Sequence, residues 1–393
     1  MKCLKAAAAA LLFLKAGTAA AADLDAVRKA LTPLRQSSAE ANRMPPAFIT
    51  ARDGVRDWIE TQLARFPQNG DTAAFDKALN AEIAAMDLAC VEAKAPGYNR
   101  CASPSEFNAR GFLGAVEAER VRDLLIIQAE IGVACGFDEA AYVYEWAKVG
   151  WRRLIDTSQS PANGVYIPEQ IQQVIFTNPA NRPADALLLA VTGASPVCGA
   201  PVQAVHYRVW SAKRGGGSSL AVDGREGESL ISRRDPAVSA RFEDSDFLVE
   251  MNVRSMDAAR RSRVAVRRFN FDGDYAKRVA PVALTPKDFV EEWLRAPWSV
   301  ASAWTETRAR ETLAKIHGGA AENLTRAAFA GPPQRCDTDD DVVQVGVRFA
   351  GGEKFFRVKM GAAGAFEMRA ADSEPSKTCP RPDAGLDTPR SLF

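Results

Sequence analysis

The sequence has only two histidines among its 393 residues, and it contains no C-x-x-C motif. Serine and cysteine nucleophiles usually need a histidine as base, so few catalytic dyads or triads are open to this chain. Zinc sites are built from closely spaced cysteine and histidine ligands, and that spacing is missing. The composition therefore disfavours histidine-dependent hydrolases and zinc proteins, and we expect no bound metal.

Long apolar runs are also missing, since a membrane helix needs about 20 apolar residues. The run from Ala6 to Leu14 is shorter, follows Lys2, and precedes an A-x-A site at Ala20 and Ala22. A charged start, a short apolar run and such a site are typical of a secretory signal peptide. We therefore expect residues 1–22 to be removed and the mature protein to be exported, periplasmic or extracellular, without stable membrane insertion.

The chain has no strong excess of either charge. Removal of residues 1–22 takes away three lysines and leaves 47 basic against 49 acidic residues. This balance disfavours nucleic acid as a partner. One local imbalance lies between Asn252 and Arg278, where eight basic residues face three acidic ones. They could bind an anionic ligand or an acidic partner, or they could form intrachain salt bridges, and the sequence leaves both open.

Six cysteines remain after the predicted cleavage: Cys90, Cys101, Cys135, Cys198, Cys336 and Cys379. An even number of cysteines in an exported chain indicates a disulfide framework. The simplest pairing joins Cys90 to Cys101, Cys135 to Cys198, and Cys336 to Cys379.

The apolar pattern changes its period along the chain. Steps of three and four residues predict helices over Leu24–Leu34, Ala51–Phe66 and Thr72–Cys90, with Val55, Ile59 and Leu63 on one face. After Cys101 the period is about two, and short turn signals predict nine strands. These strands are Asp123–Ala134, Ala140–Ala147, Trp151–Thr157, Gln170–Thr177, Ala186–Thr192, Gln203–Ala212, Phe247–Arg254, Arg263–Phe271 and Tyr275–Val282.

The expected fold is α+β and mainly β. A helical N-terminal region over 23–100 precedes an antiparallel β-domain over 101–283, which is a sandwich, an irregular barrel or a propeller-like arrangement. A helical segment follows over 284–335, then a small β-hairpin unit over 336–371 and a proline-containing tail over 372–393. Thr285 and Pro286 start the first helix of the third region, and Gly318 and Gly319 are expected to end the second.

Two strands carry the candidate ligand-binding residues. In "VACGFDEAAYVYEW" we expect "GFDE" to form a turn and Cys135 to lie in the core, while alternation groups Tyr142, Tyr144 and Trp146 on one face. These aromatics line either the core or a groove for a sugar or peptide. In "AVHYRVW" alternation groups His206, Arg208 and Trp210 opposite a valine face, which predicts that these three are exposed and form either an ordinary solvated strand face or a groove for a polar ligand. His317 is expected to complement the carboxyl end of a helix.

Two other motifs do not match the binding loops that their residues suggest. "KRGGGSSL" lacks the order of a phosphate-binding loop, and a hairpin loop explains its glycines. "CDTDDD" lacks the glycine and the twelfth-position acid of an EF-hand calcium loop, so we expect an acidic solvated loop, and only a looser calcium site is left as the alternative. No cofactor is therefore expected.

Two functional hypotheses remain, and the sequence leaves open whether the chain is an enzyme. The first is an exported, non-catalytic binding or structural module with an unknown ligand or protein partner. The alternative is a carboxylate-dependent hydrolase acting on glycans or other cell-envelope polymers, since paired acids need no histidine. A hydrolase requires two facing carboxylates, whereas a binding module does not.

Overall fold

The architecture comes from a computed structural model, which describes residues 24–32, 46–86, 88, 113–133, 136–158, 168–178, 186–195, 202–230, 238–257, 262–280, 282–321, 324–337, 339, 341–361 and 365–388. Its helices are α1 (24–32), α2 (Pro46–Leu63), α3 (Thr72–Ala85), α4 (Pro286–Arg295), α5 (Trp298–Ala301) and α6 (Arg310–Ala321). Among these described helices none is long and apolar enough to cross a membrane.

Eighteen strands follow one another in the described residues. The first twelve are β1 (Leu113–Val121), β2 (Leu124–Val133), β3 (Gly136–Ala147), β4 (Gly150–Asp156), β5 (Gln170–Thr177), β6 (Ala186–Ala194), β7 (Val202–Lys213), β8 (Ser218–Leu230), β9 (Val238–Glu243), β10 (Asp246–Arg254), β11 (Ser262–Asp272) and β12 (Tyr275–Val279). The others are β13 (Ala328–Phe329), β14 (Gln334–Arg335), β15 (Val342–Phe349), β16 (Gly352–Met360), β17 (Phe366–Asp372) and β18 (Arg381–Pro382).

The protein is α+β and mainly β, as the sequence predicts, and its sheets are antiparallel. A four-stranded meander has the order β1-β2-β3-β4. A second sheet has the order β12-β11-β10-β8-β7-β6-β5, with β9 paired to β10, and a third has the order β17-β16-β15-β14-β18, with β13 paired to β15. Hairpin connections join most neighbours because short turns suffice for antiparallel strands.

The described residues divide into two compact units. The first unit takes the residues up to 174 together with 186–195 and 208–220. The second takes 175–178, 202–207 and the residues from 221 onward. The six-segment division expected from the sequence is neither confirmed nor contradicted by these units and stays a prediction.

In the first unit the N-terminal helices pack on one face of the meander. Val55, Ile59 and Leu63 of α2 are buried in one cluster with Leu125 and Ile127 of β2, which confirms the predicted apolar faces. Polar contacts also join helix to sheet, since Asn80 of α3 exchanges hydrogen bonds of 2.8 and 3.1 Å with the backbone of Val116. These helices are therefore part of the core of this unit.

In the second unit α4 packs against the last sheet. Its start is as predicted: the Thr285 hydroxyl accepts a 3.1 Å hydrogen bond from the Asp288 N–H, and Pro286 occupies the first turn. Phe289 and Trp293 of α4 are fully buried in the same cluster as Phe356 of β16. The predicted hairpin of "VVQVGVRFAGGEKFFRVKM" is confirmed as β15 and β16.

One of the predicted disulfides lies within the described residues and is confirmed. Cys336 and Cys379 are bonded and buried, and the bond ties the segment that contains β18 to β14 of the same sheet. Cys90, Cys101, Cys135 and Cys198 lie outside the described residues, so their pairings stay predictions.

Three local expectations were wrong. The "GFDE" stretch is the start of β3 and not a turn, and α6 continues through Gly318 and Gly319 to Ala321. Strands β1, β8 and β9 were not predicted, because charged and small residues interrupt their apolar alternation in "LGAVEAERV", "SSLAVDGREGESL" and "VSARFE". Pairing with neighbouring strands overrides these weak local patterns.

Candidate functional site

The aromatic residues of β3 occupy different environments. Tyr142 and Tyr144 are buried in the core of the first unit, opposite Ile127 and Leu125 of β2. Burial raises the pKa of both phenols. Trp146, at the end of the strand, is 37% exposed and packs edge-on against Trp151 at 5.2 Å between ring centroids. Of these three candidates, Trp146 alone presents a substantial surface to solvent.

The predicted exposed face of β7 is wrong. His206, Arg208 and Trp210 are 8%, 2% and 7% exposed, and the intervening Tyr207 and Val209 are buried too. The guanidinium of Arg208 pairs with the Glu169 carboxylate, donates a 2.8 Å hydrogen bond to the Thr157 carbonyl, and lies 5.2 Å from the Trp210 ring. Both faces of β7 are covered, so alternation in its sequence does not separate core from surface.

His317 has a structural contact rather than a catalytic one. Its ring is buried, and Nε2 lies 3.0 Å from the Trp293 carbonyl oxygen. The imidazole also packs edge-on against the Trp293 ring at 4.8 Å. The histidine therefore joins α6 to α4 in the core of the second unit.

A cleft in the second unit gathers four of the eight basic residues that the sequence places between Asn252 and Arg278. Its volume is about 250 Å³, and we call it the arginine cleft. It is lined by Glu226, Val253, Arg254, Arg263, Arg267, Arg278, Glu292, Arg295, Ala296 and Pro297. Strands β8, β10, β11 and β12 and helix α4 each contribute to this lining. Five arginines and two glutamates therefore surround one small space.

Glu292 is the centre of the ion pairs in the arginine cleft. Its carboxylate lies 2.6 Å from Arg263, 2.9 Å from Arg267 and 3.1 Å from Arg278. Burial alone would raise the pKa of Glu292, but the three arginines outweigh burial and lower this pKa to about 2. The carboxylate is therefore ionised across the physiological range, and the salt-bridge interpretation of the arginines is correct for these three residues.

Two further glutamates pair with arginines of the cleft. Glu226 lies 2.7 Å from Arg267, and the fully buried Glu291 lies 3.2 Å from Arg263 and 2.9 Å from the Nε of Arg295. Burial, followed by repulsion from Arg267, lowers the pKa of Arg278. An anion that entered the cleft would relieve this repulsion, since opposite charges attract strongly where water is excluded.

Arg263 pairs with Glu291 and Glu292, but one nitrogen of its guanidinium group is left without a hydrogen-bond partner among the described residues. Its side chain is 1% exposed, and among the described residues its buried Nη1 has no hydrogen-bond partner. An unsatisfied buried donor costs about 1–3 kcal/mol. Because Arg263 lines the cleft, a carboxylate or phosphate oxygen placed there could accept this hydrogen bond. The arrangement can therefore bind an anion, and Arg295, 46% exposed, stands at its solvent side.

The first unit contains a pair of facing acids that sequence reasoning missed. Glu130 of β2 and Glu139 of β3 are direct cross-strand partners, which places their Cβ atoms about 4.5–5.5 Å apart. Burial, then repulsion from Glu130, raises the pKa of Glu139 to about 8. Burial also raises the pKa of Glu130. The strand register could have revealed this pair, had "GFDE" been assigned to the strand.

Because the pKa of Glu139 is raised in the folded protein, we expect the free energy of unfolding to decrease as pH rises. The folded protein keeps the Glu139 proton up to about pH 8, whereas the unfolded chain releases it near pH 4.5, so folding binds an extra proton between these values. The free energy of unfolding should fall by about 3–4 kcal/mol between pH 5 and 8. Glu139→Gln should remove this slope in urea titrations at several pH values. An unchanged slope would contradict the assignment, and Glu119→Gln, exposed on β1, is the control.

The glycine and aspartate motifs have ordinary structural roles in the described residues. Gly215 adopts a φ of +72° in the loop between β7 and β8, which confirms a hairpin loop in "KRGGGSSL". Asp339 accepts a 3.2 Å hydrogen bond from the Asp341 N–H. Within the described ranges no group of three or more metal-ligating side chains occurs.

The fold and the lining of the cleft define an α+β, mainly β protein with an arginine-lined cleft in its second unit. No family model and no curated protein matches the chain. A solved structure described as a glycoside hydrolase is 10% identical, covering 69% of this chain and 91% of its own, with a TM-score of 0.23. A second solved structure, described as an RGII complex, is 9% identical with the same coverage and TM-score. Such low scores support no inference about this chain.

Proposed function

We propose that this chain is an exported, non-catalytic binding module that takes an anionic group of its ligand or partner into the arginine cleft. The observation that carries the proposal is the buried Nη1 of Arg263, which has no hydrogen-bond partner among the described residues and belongs to a cleft that four further arginines line. Guanidinium groups bind carboxylates and phosphates with two parallel hydrogen bonds. Glu292 holds three of the arginines in place before any ligand arrives.

Export is part of the proposal. The N-terminal pattern of residues 1–22 is typical of a signal peptide, and the Cys336–Cys379 disulfide is the kind of bond that persists in an oxidising compartment. N-terminal sequencing of the mature protein tests this part. A mature chain that still contains Lys2 would contradict it.

The binding test uses Arg295, because its side chain is 46% exposed and its buried partner Glu291 keeps Arg263 at 3.2 Å and the Met256 N–H at 2.9 Å when Arg295 is changed. Isothermal titration calorimetry of the full protein with citrate and with inorganic phosphate should detect binding of at least one of these anions. A charge-assisted hydrogen bond contributes about 1.5–3 kcal/mol, so Arg295→Gln should weaken binding about 10- to 100-fold. Arg241→Gln, on β9 and paired with Glu243, is the matched control and should bind like the original protein. Equal binding by both variants would contradict the proposal.

The carboxylate-dependent hydrolase is the second candidate, and the facing pair of Glu130 and Glu139 favours it. A general acid must be protonated at working pH, and a pKa of about 8 meets that requirement for Glu139. Retaining glycosidases place their two carboxyl groups about 5–5.5 Å apart, which cross-strand partners can approach. The second carboxyl group of such a pair must be ionised, and the raised pKa of Glu130 disfavours Glu130 for that role. Release of reducing ends from polysaccharides that is lost in Glu139→Gln would favour this candidate.

A further inference from the structure

A second cavity lies in the sheet of β14–β18 and is separate in its residues from the arginine cleft. Its volume is about 380 Å³, within the range of small-molecule sites. We call it the disulfide pocket, lined by Glu306, Arg308, Ala309, Cys336, Asp339, Val342, Arg357, Arg369, Ala370 and Thr378. No lining residue is shared with the arginine cleft, so the two cavities can be tested independently.

Two arginines of this pocket use only part of their donor sets. Arg357 pairs through Nη2 with Asp372 at 3.2 Å, and Arg369 pairs with Glu306 at 3.7 Å and with Glu367 at 3.3 Å. The Nε atoms of both arginines are buried, and within the described ranges neither has a hydrogen-bond partner. Both arginines line the same cavity, and their unused buried N–H groups can donate hydrogen bonds to an acceptor atom of a ligand.

The remaining lining makes the pocket polar and holds its shape. Arg308 is 78% exposed and adds a third positive charge at the solvent side of the pocket. Its Nε pairs with a carboxylate oxygen of Glu306 at 3.0 Å. Cys336 forms part of the wall, and Thr378 precedes the other half of the disulfide. The Asp337 N–H donates a 2.7 Å hydrogen bond to the Thr378 carbonyl, so the two segments of the wall are joined twice.

We propose that the disulfide pocket binds a small polar molecule through an oxyanion group, which accepts hydrogen bonds from Arg357 and Arg369. The oxyanion is a carboxylate, a phosphate or a sulfate, because these share the acceptor geometry that guanidinium groups recognise. Glu306 and Asp339 also line the pocket, and their carboxylates can accept from hydroxyl or amino groups of the same ligand. This site does not depend on the arginine cleft or on the function proposed for it.

The test is isothermal titration of the full protein with inorganic phosphate, with sulfate and with acetate, each in a separate arm. At least one anion should bind, and its identity assigns the oxyanion. Arg357→Gln and Arg369→Gln should each weaken that binding at least tenfold. Arg348→Gln, on β15 and paired at the surface with Glu353, is the matched control and should leave binding unchanged.

Two results would overturn this proposal. One is that no anion binds in the millimolar range to a folded protein. The other is that binding is lost in Arg295→Gln but kept in both Arg357→Gln and Arg369→Gln, which would place the anion in the arginine cleft alone. Circular dichroism establishes that each variant is folded. Because the two arginines are changed separately, an unfolded variant at one position still leaves the other to decide the outcome.

Discussion

Replacing Glu292 with glutamine is expected to lower the free energy of unfolding by about 3–5 kcal/mol. The carboxylate is 3% exposed and lies within 3.1 Å of Arg263, Arg267 and Arg278. Glutamine keeps the shape but removes the charge, and it leaves three buried or partly buried guanidinium groups short of a counter-ion. Urea unfolding of the original protein and the variant at pH 7 measures the difference.

The pH dependence gives this prediction a second readout. The pKa of Glu292 is lowered in the folded protein to about 2, so its contribution to stability is present above the unfolded value near 4.5 and is lost as pH falls from there toward 2. The difference between Glu292→Gln and the original protein should therefore shrink at acid pH. Glu353→Gln, in an exposed pair with Arg348, is the control and should cost less than about 1 kcal/mol. A loss as small as the control's at pH 7 would contradict the central role of Glu292.

Tyr142→Ala and Tyr144→Ala should each lower the free energy of unfolding by about 3–5 kcal/mol. Both tyrosines are 1% exposed in the core of the first unit. Trp146→Ala on the same strand is the matched comparison. Trp146 is 37% exposed, so we expect a smaller loss of about 1–2 kcal/mol. Chemical denaturation of the three variants measures these differences. Equal losses at all three positions would contradict the assignment of the tyrosines to the core.

Tyr144→Phe separates ring packing from the hydroxyl group. The Tyr144 hydroxyl is buried and has no hydrogen-bond partner among the described residues. Removing an unsatisfied polar group of this kind is neutral or stabilising. We therefore expect Tyr144→Phe to keep or slightly raise stability, and a loss above about 1 kcal/mol would indicate that the hydroxyl has a role.

Most of the secondary structure follows from local patterns. The predicted strand Gln170–Thr177 is confirmed residue for residue, and the predicted Thr285 cap and Pro286 of α4 are found. These features depend on short-range physics, because a cap or a strand repeat involves residues within a few positions. "GFDE" was misassigned because a glycine followed by acids is typical of turns, and pairing with β2 makes it a strand.

The candidate sites were harder to predict because burial on both faces hides the alternation of a strand. The prediction treated β7 as half exposed, yet Arg208 lies in the interior with Glu169 and the Thr157 carbonyl as partners. A buried arginine needs counter-charges, and Glu169 is 39 residues away along the chain. Only folding brings the two together, so no local pattern could indicate whether this side chain is exposed.

By itself the sequence determined the mainly β class and the positions of many helices and strands, because these depend on apolar period and turn residues, and it offered Cys336–Cys379 only as part of the simplest pairing. The tertiary structure decided which arginines are neutralised and which retain unused donors. Glu226, Glu291 and Glu292 come from β8 and α4 to meet the arginines of β11 and β12. Charge balance in a cleft is a sum over distant segments, and such a sum exists only after the strands and the helix have packed.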